Sequence, residues 1–336
     1  MRLHMTNQEL KQEPPEQVPW EPPLLKFFMN SLEELRSFMH ANLCREWADY
    51  FGLPDGPWIA RAVDNWFDDS QNYDRRWNSI TLRRPEVGPI LDMAAGCGTF
   101  MLYGLRRGFN VMGVEPEAWK RTYYARKVAL SGDPAAFASR MIGSVGETLP
   151  FADATFDLVS TFQTLEHVAD VPACLREMAR VLRPGGVLYL RAPDYRCFFE
   201  PHYRLPFLPK MHRPWAERYL RFLGRPTTGL ATLNWTTERD IIAELRRLPV
   251  LLNIERNREF FIERKRREID ATLPKFFGAM GLARPLNGLH QFRRRAAGWV
   301  KVGRQERVID LWITKATVTP KQYEPPAGSR RSTPLQ

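Results

Sequence analysis

Cysteine is scarce. Cys44, Cys97, Cys174 and Cys197 are the only four in 336 residues, without a C-x-x-C pair or a histidine at zinc-ligand spacing. That pattern excludes a disulfide framework and a zinc-finger type of site, so reduced structural thiols and no bound metal are expected. No run approaches the roughly 20 apolar residues that a bilayer crossing demands. The opening stretch, MRLHMTNQELKQEPPEQVPW, is polar and proline-rich and lacks the apolar segment of a secretory signal, which makes a cytoplasmic location the expectation. Repeats of solenoid period and low-complexity tracts are missing as well.

What is present describes a globular chain: 44% hydrophobic and 26% charged residues. Lys and Arg number 49 against 38 Asp and Glu, for a formal net charge of +11. The excess is local. Residues 1–90 carry −4 and residues 91–195 are neutral, whereas 196–254 carry +5 and 255–307 carry +8. Such a balance points to an anionic partner without choosing among nucleic acid, membrane surface and phosphorylated small molecules.

From Gly88 onward, short apolar runs alternate with helical stretches, the mark of βαβ units around a parallel sheet. Strands are expected near Pro89–Ala95, Asn110–Glu115, Arg140–Val145, Phe156–Phe162 and Gly186–Ala192, with Val250–Glu255 and Arg307–Thr314 able to complete the sheet. Helices are expected near Thr99–Arg107, Glu117–Leu130, Val171–Leu182 and Thr236–Arg247, the third ended by Arg183-Pro184-Gly185-Gly186. The fold class is therefore α/β: a doubly wound, Rossmann-like, seven-stranded sheet. Its ligand belongs at the carboxyl ends of the first and fourth strands. Residues 24–85, with Trp47, Trp58, Trp66 and Trp77, are expected to form a helical cap. Residues 86–318 form the main domain, with insertions at 196–235 and 256–302. The segments 1–23 and 319–336 read as flexible.

The first strand runs into Leu91-Asp92-Met93-Ala94-Ala95-Gly96-Cys97-Gly98-Thr99, a small-residue loop that opens a helix. Backbone N–H groups there can approach a ligand closely. Glu115 ends the second strand, at the distance where a carboxylate accepts the hydroxyl hydrogens of a ribose. A dinucleotide fingerprint fails, because the third glycine of G-x-G-x-x-G is Met101.

This stretch resembles the glycine-rich motif of class I S-adenosylmethionine-dependent methyltransferases. The likeness continues through Gly146-Glu147-Thr148-Leu149-Pro150-Phe151, Leu165-Glu166-His167-Val168 and Arg180-Val181-Leu182-Arg183-Pro184-Gly185-Gly186. Together these segments resemble the small-molecule group that includes the ubiquinone and menaquinone biosynthesis enzymes, over roughly residues 88–195. The resemblance implies S-adenosylmethionine as cofactor. It puts Asp92, Ala94, Gly96 and Gly98 around the methionine part, Glu115 on the ribose, Pro116 beside the adenine and Gln163 by the sulfonium. The adenine amino group falls to the backbone of Val145 and Gly146 or to Glu147, since Val145 stands where the family often has Asp.

Methyl transfer from a sulfonium is an in-line displacement that rests on alignment and exclusion of water. A hydroxyl acceptor is helped by a base, and His167, His202 and Asp194 are the favoured candidates, with Tyr195, Glu200 and Tyr203 nearby in sequence. The aromatic and arginine-bearing insertion 196–235 reads as a substrate lid suited to an amphipathic, anionic acceptor. The insertion 256–302, with Arg264-Lys265-Arg266-Arg267 and Arg293-Arg294-Arg295 around Phe276 and Phe277, suits peripheral contact with an anionic membrane at its inner face. O-methylation of a small, anionic or lipid- or glycan-linked acceptor is expected ahead of C-methylation. RNA methylation and a catalytically silent cofactor-binding protein are the alternatives. Nucleic acid ranks lower as a partner because Gln163-Thr164 replaces the Asn/Asp-Pro-Pro-Tyr that serves exocyclic amines.

Overall fold

The computed structural model describes residues 30–67, 73–257 and 308–317. The expected flexible ends and, beyond residue 257, the basic insertion with its membrane contact lie outside the described residues. In chain order the elements are α1 (Leu32–Phe51), α2 (Pro57–Phe67), α3 (Asp74–Arg83), β1 (Ile90–Met93), α4 (Thr99–Leu105), β2 (Val111–Val114), α5 (Ala118–Leu130) and β3 (Met141–Ile142). There follow β4 (Phe156–Phe162), α6 (Val171–Val181), β5 (Leu182–Pro193), the two-residue strands β6 (Phe199–Glu200) and β7 (Leu205–Pro206), α7 (Arg213–Phe222), α8 (Thr228–Ala231), α9 (Glu238–Arg247), β8 (Leu252–Arg256) and β9 (Val308–Lys315).

Seven strands form one sheet in the order β3-β2-β1-β4-β5-β9-β8. The first five are mutually parallel, and β9 runs antiparallel to both β5 and β8. This is a Rossmann-like α/β fold. Strand order reverses direction between β1 and β4, so the crevice at their carboxyl ends is the topological switch point where such sheets bind ligands.

Local chemistry explains the elements that border that crevice. Asp170 caps α6, its carboxylate accepting from Ala173 N at 2.9 Å, and Pro172 occupies the first turn, where no intrahelical donor is needed. The buried face of α6, with Cys174, Leu175, Met178 and Val181, packs on β4 and β5 through Phe156, Leu188 and Leu190. Truncating Leu175 or Leu190 to alanine in such a core costs about 2–5 kcal/mol. Helix α6 ends at Val181, just before the Arg183-Pro184-Gly185-Gly186 segment, as those residue types require, but the segment itself is not a turn. It is a bulge within β5, since Phe156 pairs with Leu182 while Leu158 pairs with Val187.

Helices α1 and α2 bury Leu35, Met39, Leu43, Ile59 and Val63 against Trp119 and Tyr123 of α5 and against Cys97 of the glycine loop. α3 places Trp77 on Phe100, with ring centroids 4.5 Å apart and nearly parallel. The end of α1 continues into a separate cluster, where Phe51 and Leu53 meet Tyr203, Phe207, Leu220 and Leu230 of the 196–235 segment. The N-terminal helices and that segment thus make one continuous roof across the switch point.

Candidate active site

Four residues at this crevice hold left-handed backbone angles, Gly98 among them. Ala94 (φ 56°) follows β1, Gly96 (φ 57°) lies in the loop, and Gln163 (φ 53°) follows β4. An alanine and a glutamine in this region carry a cost of order 1–3 kcal/mol each that the surroundings must sustain, and such strain gathers at ligand sites. Gly96 is open above: a Cβ built there meets nothing within 4 Å. Gly98 (φ 73°) is the opposite case, because a Cβ would come within 2.2 Å of Tyr124. One glycine leaves room for a ligand, the other lets helix and loop close on each other.

Glu115 sits at the base of this opening, 3% exposed. Its Oε2 accepts from Gly96 N at 2.8 Å and its Oε1 from Glu117 N at 3.0 Å. Burial pushes its carboxyl up, against the pull of Lys120 and of these two amides. Each oxygen retains acceptor capacity, so the group is fixed in place and still able to bind two hydroxyls. Exposed Pro116 follows Glu115 directly, and exposed Val145 lies three residues beyond β3, with Gly146 next to it. These residues fit the nucleoside of S-adenosylmethionine: an open glycine, a buried carboxylate and two exposed apolar side chains.

Two other residues expected at the cofactor are engaged elsewhere. Asp92 is paired with Arg76 of α3, Oδ1 to Nη2 at 2.7 Å, and Arg76 also donates to Ser160 Oγ from Nε at 3.1 Å. The Arg76 guanidinium lies between the rings of Phe100 and Phe162, at 3.7 and 3.6 Å from their centroids. Glu147 Oε1 accepts from Ala169 N at 2.7 Å and Asp170 N at 3.1 Å, which ties the loop after β4 to the one after β3.

The N-terminal helices, expected only as a cap, reach the site through Glu46. Its Oε1 accepts from Trp119 Nε1 at 2.6 Å, and the same indole N–H contacts Glu117 Oε2 at 2.8 Å. Lys120 Nζ donates to Glu117 Oε1 at 2.6 Å. Desolvation, only partly opposed by Lys120, raises the Glu46 carboxyl to about 8, while Glu117, although also desolvated, is held below its usual range by Lys120 and by Glu46. The folded protein therefore keeps a proton on Glu46 that the unfolded chain releases near pH 4.5, and stability falls as pH rises from there to about 8. Glu46→Gln is expected to match the parent in thermal melts near pH 5 and to exceed it at pH 9, by on the order of 1–2 kcal/mol. An equal difference at both pH values would contradict this proton assignment.

Beyond β4 the candidate catalytic residues divide. His167 and His202 come together, their rings at 4.9 Å and nearly perpendicular. His202 lies between β6 and β7, with Nδ1 2.8 Å from Glu200 Oε1 and its ring stacked on Phe51 at 5.4 Å. Glu200 is 1% exposed, also receives Tyr203 N, and lies 3.4 Å from the Tyr195 hydroxyl. His167 is open to solvent, yet surrounding protein desolvates its ring and, with His202 and Lys120 adding repulsion, holds it well below the ordinary imidazole range. Asp194 is held by Arg196, whose Nε contacts both its oxygens at 3.0 Å.

Three contributors escaped sequence reasoning: Arg76, Glu46 and Glu166. Glu166 is fully buried beside the histidines, and among the described residues neither carboxylate oxygen meets a hydrogen-bond donor of another residue. Only its Leu-Glu-His neighbourhood marked it in advance. The lid arginines also differ from expectation. Arg213 donates to the carbonyls of Leu230 and Leu233, and Arg225 to those of Gly52 and Tyr203, so these cations staple the roof.

Residues 91–190 match the family described as a methyltransferase domain, in agreement with the strand order and the loop. This segment is a methyltransferase domain of the S-adenosylmethionine-dependent type. Among sequence relatives, an uncharacterized methyltransferase of Mycobacterium sp. (strain JLS) is 35% identical over 114 residues, which cover 34% of this chain and 42% of that one. A demethylmenaquinone methyltransferase of Parafrankia sp. (strain EAN1pec) is 35% identical over 177 residues, 48% of this chain and 64% of that protein. The chain thus spans about half the length of the curated relatives it matches. Among solved structures, geranyl diphosphate C-methyltransferase from Streptomyces coelicolor A3(2) is 14% identical, covers 83% of this chain and 98% of that one, and has a TM-score of 0.44. Among the described residues, no helix is long and apolar enough to cross a membrane.

Proposed function

We propose that this chain transfers a methyl group from S-adenosylmethionine to a hydroxyl of a small acceptor, anionic or linked to a lipid or glycan. The cofactor, when bound, supplies an electrophilic methyl on a sulfonium that leaves as a neutral thioether. Glu115 accepts the ribose hydroxyls, the backbone at Gly96 and Gly98 lies along the methionine part, Pro116 and Val145 border the adenine, and Gln163 faces the sulfonium. The histidine pair carries the reading toward O-methylation. Two imidazoles whose rings lie 4.9 Å apart beside the carboxyl end of β4 offer a ring nitrogen that can accept or polarise a hydroxyl proton.

Support for an anionic group comes from a groove of about 350 Å³ lined by Arg239 and Arg246, together with Arg196, which Asp194 holds, and Arg256, which Glu238 holds. C-methylation is the second reading, because a Geobacter sulfurreducens relative, 35% identical over 134 residues, is named a ubiquinone/menaquinone biosynthesis C-methyltransferase. Titration with labelled S-adenosylmethionine, followed by methyl incorporation into lipid, glycan and RNA fractions of the host, tests the proposal. Label is expected in the lipid or glycan fraction, on oxygen. Transfer confined to RNA overturns the acceptor class, and absence of cofactor binding overturns the enzymatic reading.

A further inference from the structure

Glu166 is the least explained polar group at the site. A fully buried carboxylate that meets no donor of another residue is rare, because an uncompensated buried charge is strongly unfavourable. Its surroundings supply a reason. The ligand atoms of Glu166, His167 and His202 all lie within 4.8 Å of one another. Metal–ligand bonds of about 2.0–2.2 Å would place such atoms about 3–3.5 Å apart, so side-chain adjustment of roughly an ångström closes the set.

We propose that Glu166, His167 and His202 bind one divalent transition-metal cation. Two imidazoles and one carboxylate suit Zn²⁺, Mn²⁺, Fe²⁺ or Co²⁺, whereas Mg²⁺ and Ca²⁺ prefer all-oxygen ligands. Glu200 at His202 Nδ1 assigns coordination to Nε2 and reproduces the carboxylate–histidine–metal arrangement that orients a ligand imidazole. Asn234 of the roof holds the other side in place: its N–H donates to Glu166 O at 2.7 Å, and its Nδ2 donates to Leu165 O and Val168 O. Three protein ligands leave positions open, where an acceptor hydroxyl would lose its proton to solvent more readily than in water. In that role the cation would replace the imidazole base of the methyl-transfer reading above, on which the role rests; the binding of the cation does not rest on it.

The test uses the full chain, stripped with a chelator and without S-adenosylmethionine. Titration with Zn²⁺, Co²⁺ and Mg²⁺ is followed by calorimetry, and Co²⁺ also by its visible absorption. One Zn²⁺ or Co²⁺ per chain is expected, bound at least tenfold more tightly than Mg²⁺. Glu166→Gln and His202→Ala should each weaken Zn²⁺ by about a hundredfold or more, and Glu200→Gln by about 10–100-fold, as orienting carboxylates do. Far-UV circular dichroism checks that each variant is folded; His202→Asn replaces His202→Ala if the latter is not. A second group of candidate ligands, His40, Cys44 and Asp55, lies on and beside α1, so Cys44→Ser is included. Stoichiometric binding that survives Glu166→Gln and His202→Ala, or that Cys44→Ser abolishes, overturns the proposal, as does the absence of any binding. Cofactor affinity measured separately tells a failure of this site from a failure of the methyltransferase reading.

Discussion

Replacing Glu115 with alanine is expected to raise the Kd for S-adenosylmethionine by at least about a hundredfold. The carboxylate is buried, fixed by Gly96 N and Glu117 N, and raised by desolvation, so its remaining acceptor positions form strong charge-assisted bonds. Two such bonds, at about 1.5–3 kcal/mol each, correspond to two to four orders of magnitude in affinity. Glu115→Gln separates charge from shape, since it keeps one acceptor and the side-chain volume. A loss intermediate between parent and alanine is expected by calorimetry, with circular dichroism unchanged. Equal affinity in Glu115→Ala would remove Glu115 from the ribose and with it the alignment of the cofactor.

Arg76→Ala is expected to destabilise the fold by about 3–5 kcal/mol, because it leaves Asp92 buried without its counter-ion. Asp92 is 4% exposed at its side chain, and burial lifts its carboxyl to about 6 even with Arg76 present. The variant also empties the space between Phe100 and Phe162 and leaves Ser160 without its donor. Denaturant midpoints at pH 7 measure the effect. The loss should shrink at pH 5, where Asp92 in the variant takes up a proton. Arg76→Met combined with Asp92→Asn is expected to regain much of the stability, because neither charge is then buried alone. A cost below 1 kcal/mol for Arg76→Ala would mean that the ion pair does not tie α3 to the sheet.

How much of this was readable in advance depends on the range of each interaction. The seven strands announce themselves because each is a short apolar run between turn residues, and the loop and Glu115 follow from spacing within some 25 residues. Strand β3 is shorter than its apolar run: Val145 is 45% exposed, and only β2 pairs with this edge. The Arg76 contacts escape such reading, since Ser160 lies 84 positions away and nothing local marks their meeting. Glu166 and His202 are likewise joined only by the roof, so ligand spacing along the chain says nothing about them. Charge counting misleads in the lid for a related reason. An arginine bonded to carbonyls counts the same as one facing an anion, and Arg213 and Arg225 are of the first kind.

The place of β9 in the sheet has a consequence for biosynthesis. Residues 308–315 pair with β5 on one side and β8 on the other, and β8 has no other partner in the sheet. During translation β5 therefore emerges long before its neighbour. Until residue 308 has left the ribosome, the nascent chain displays an unpaired edge carrying Leu188 and Leu190, a template for strand pairing between chains. Premature termination upstream of β9 would thus yield fragments with a complete nucleoside loop but an open sheet, prone to chaperone capture or aggregation.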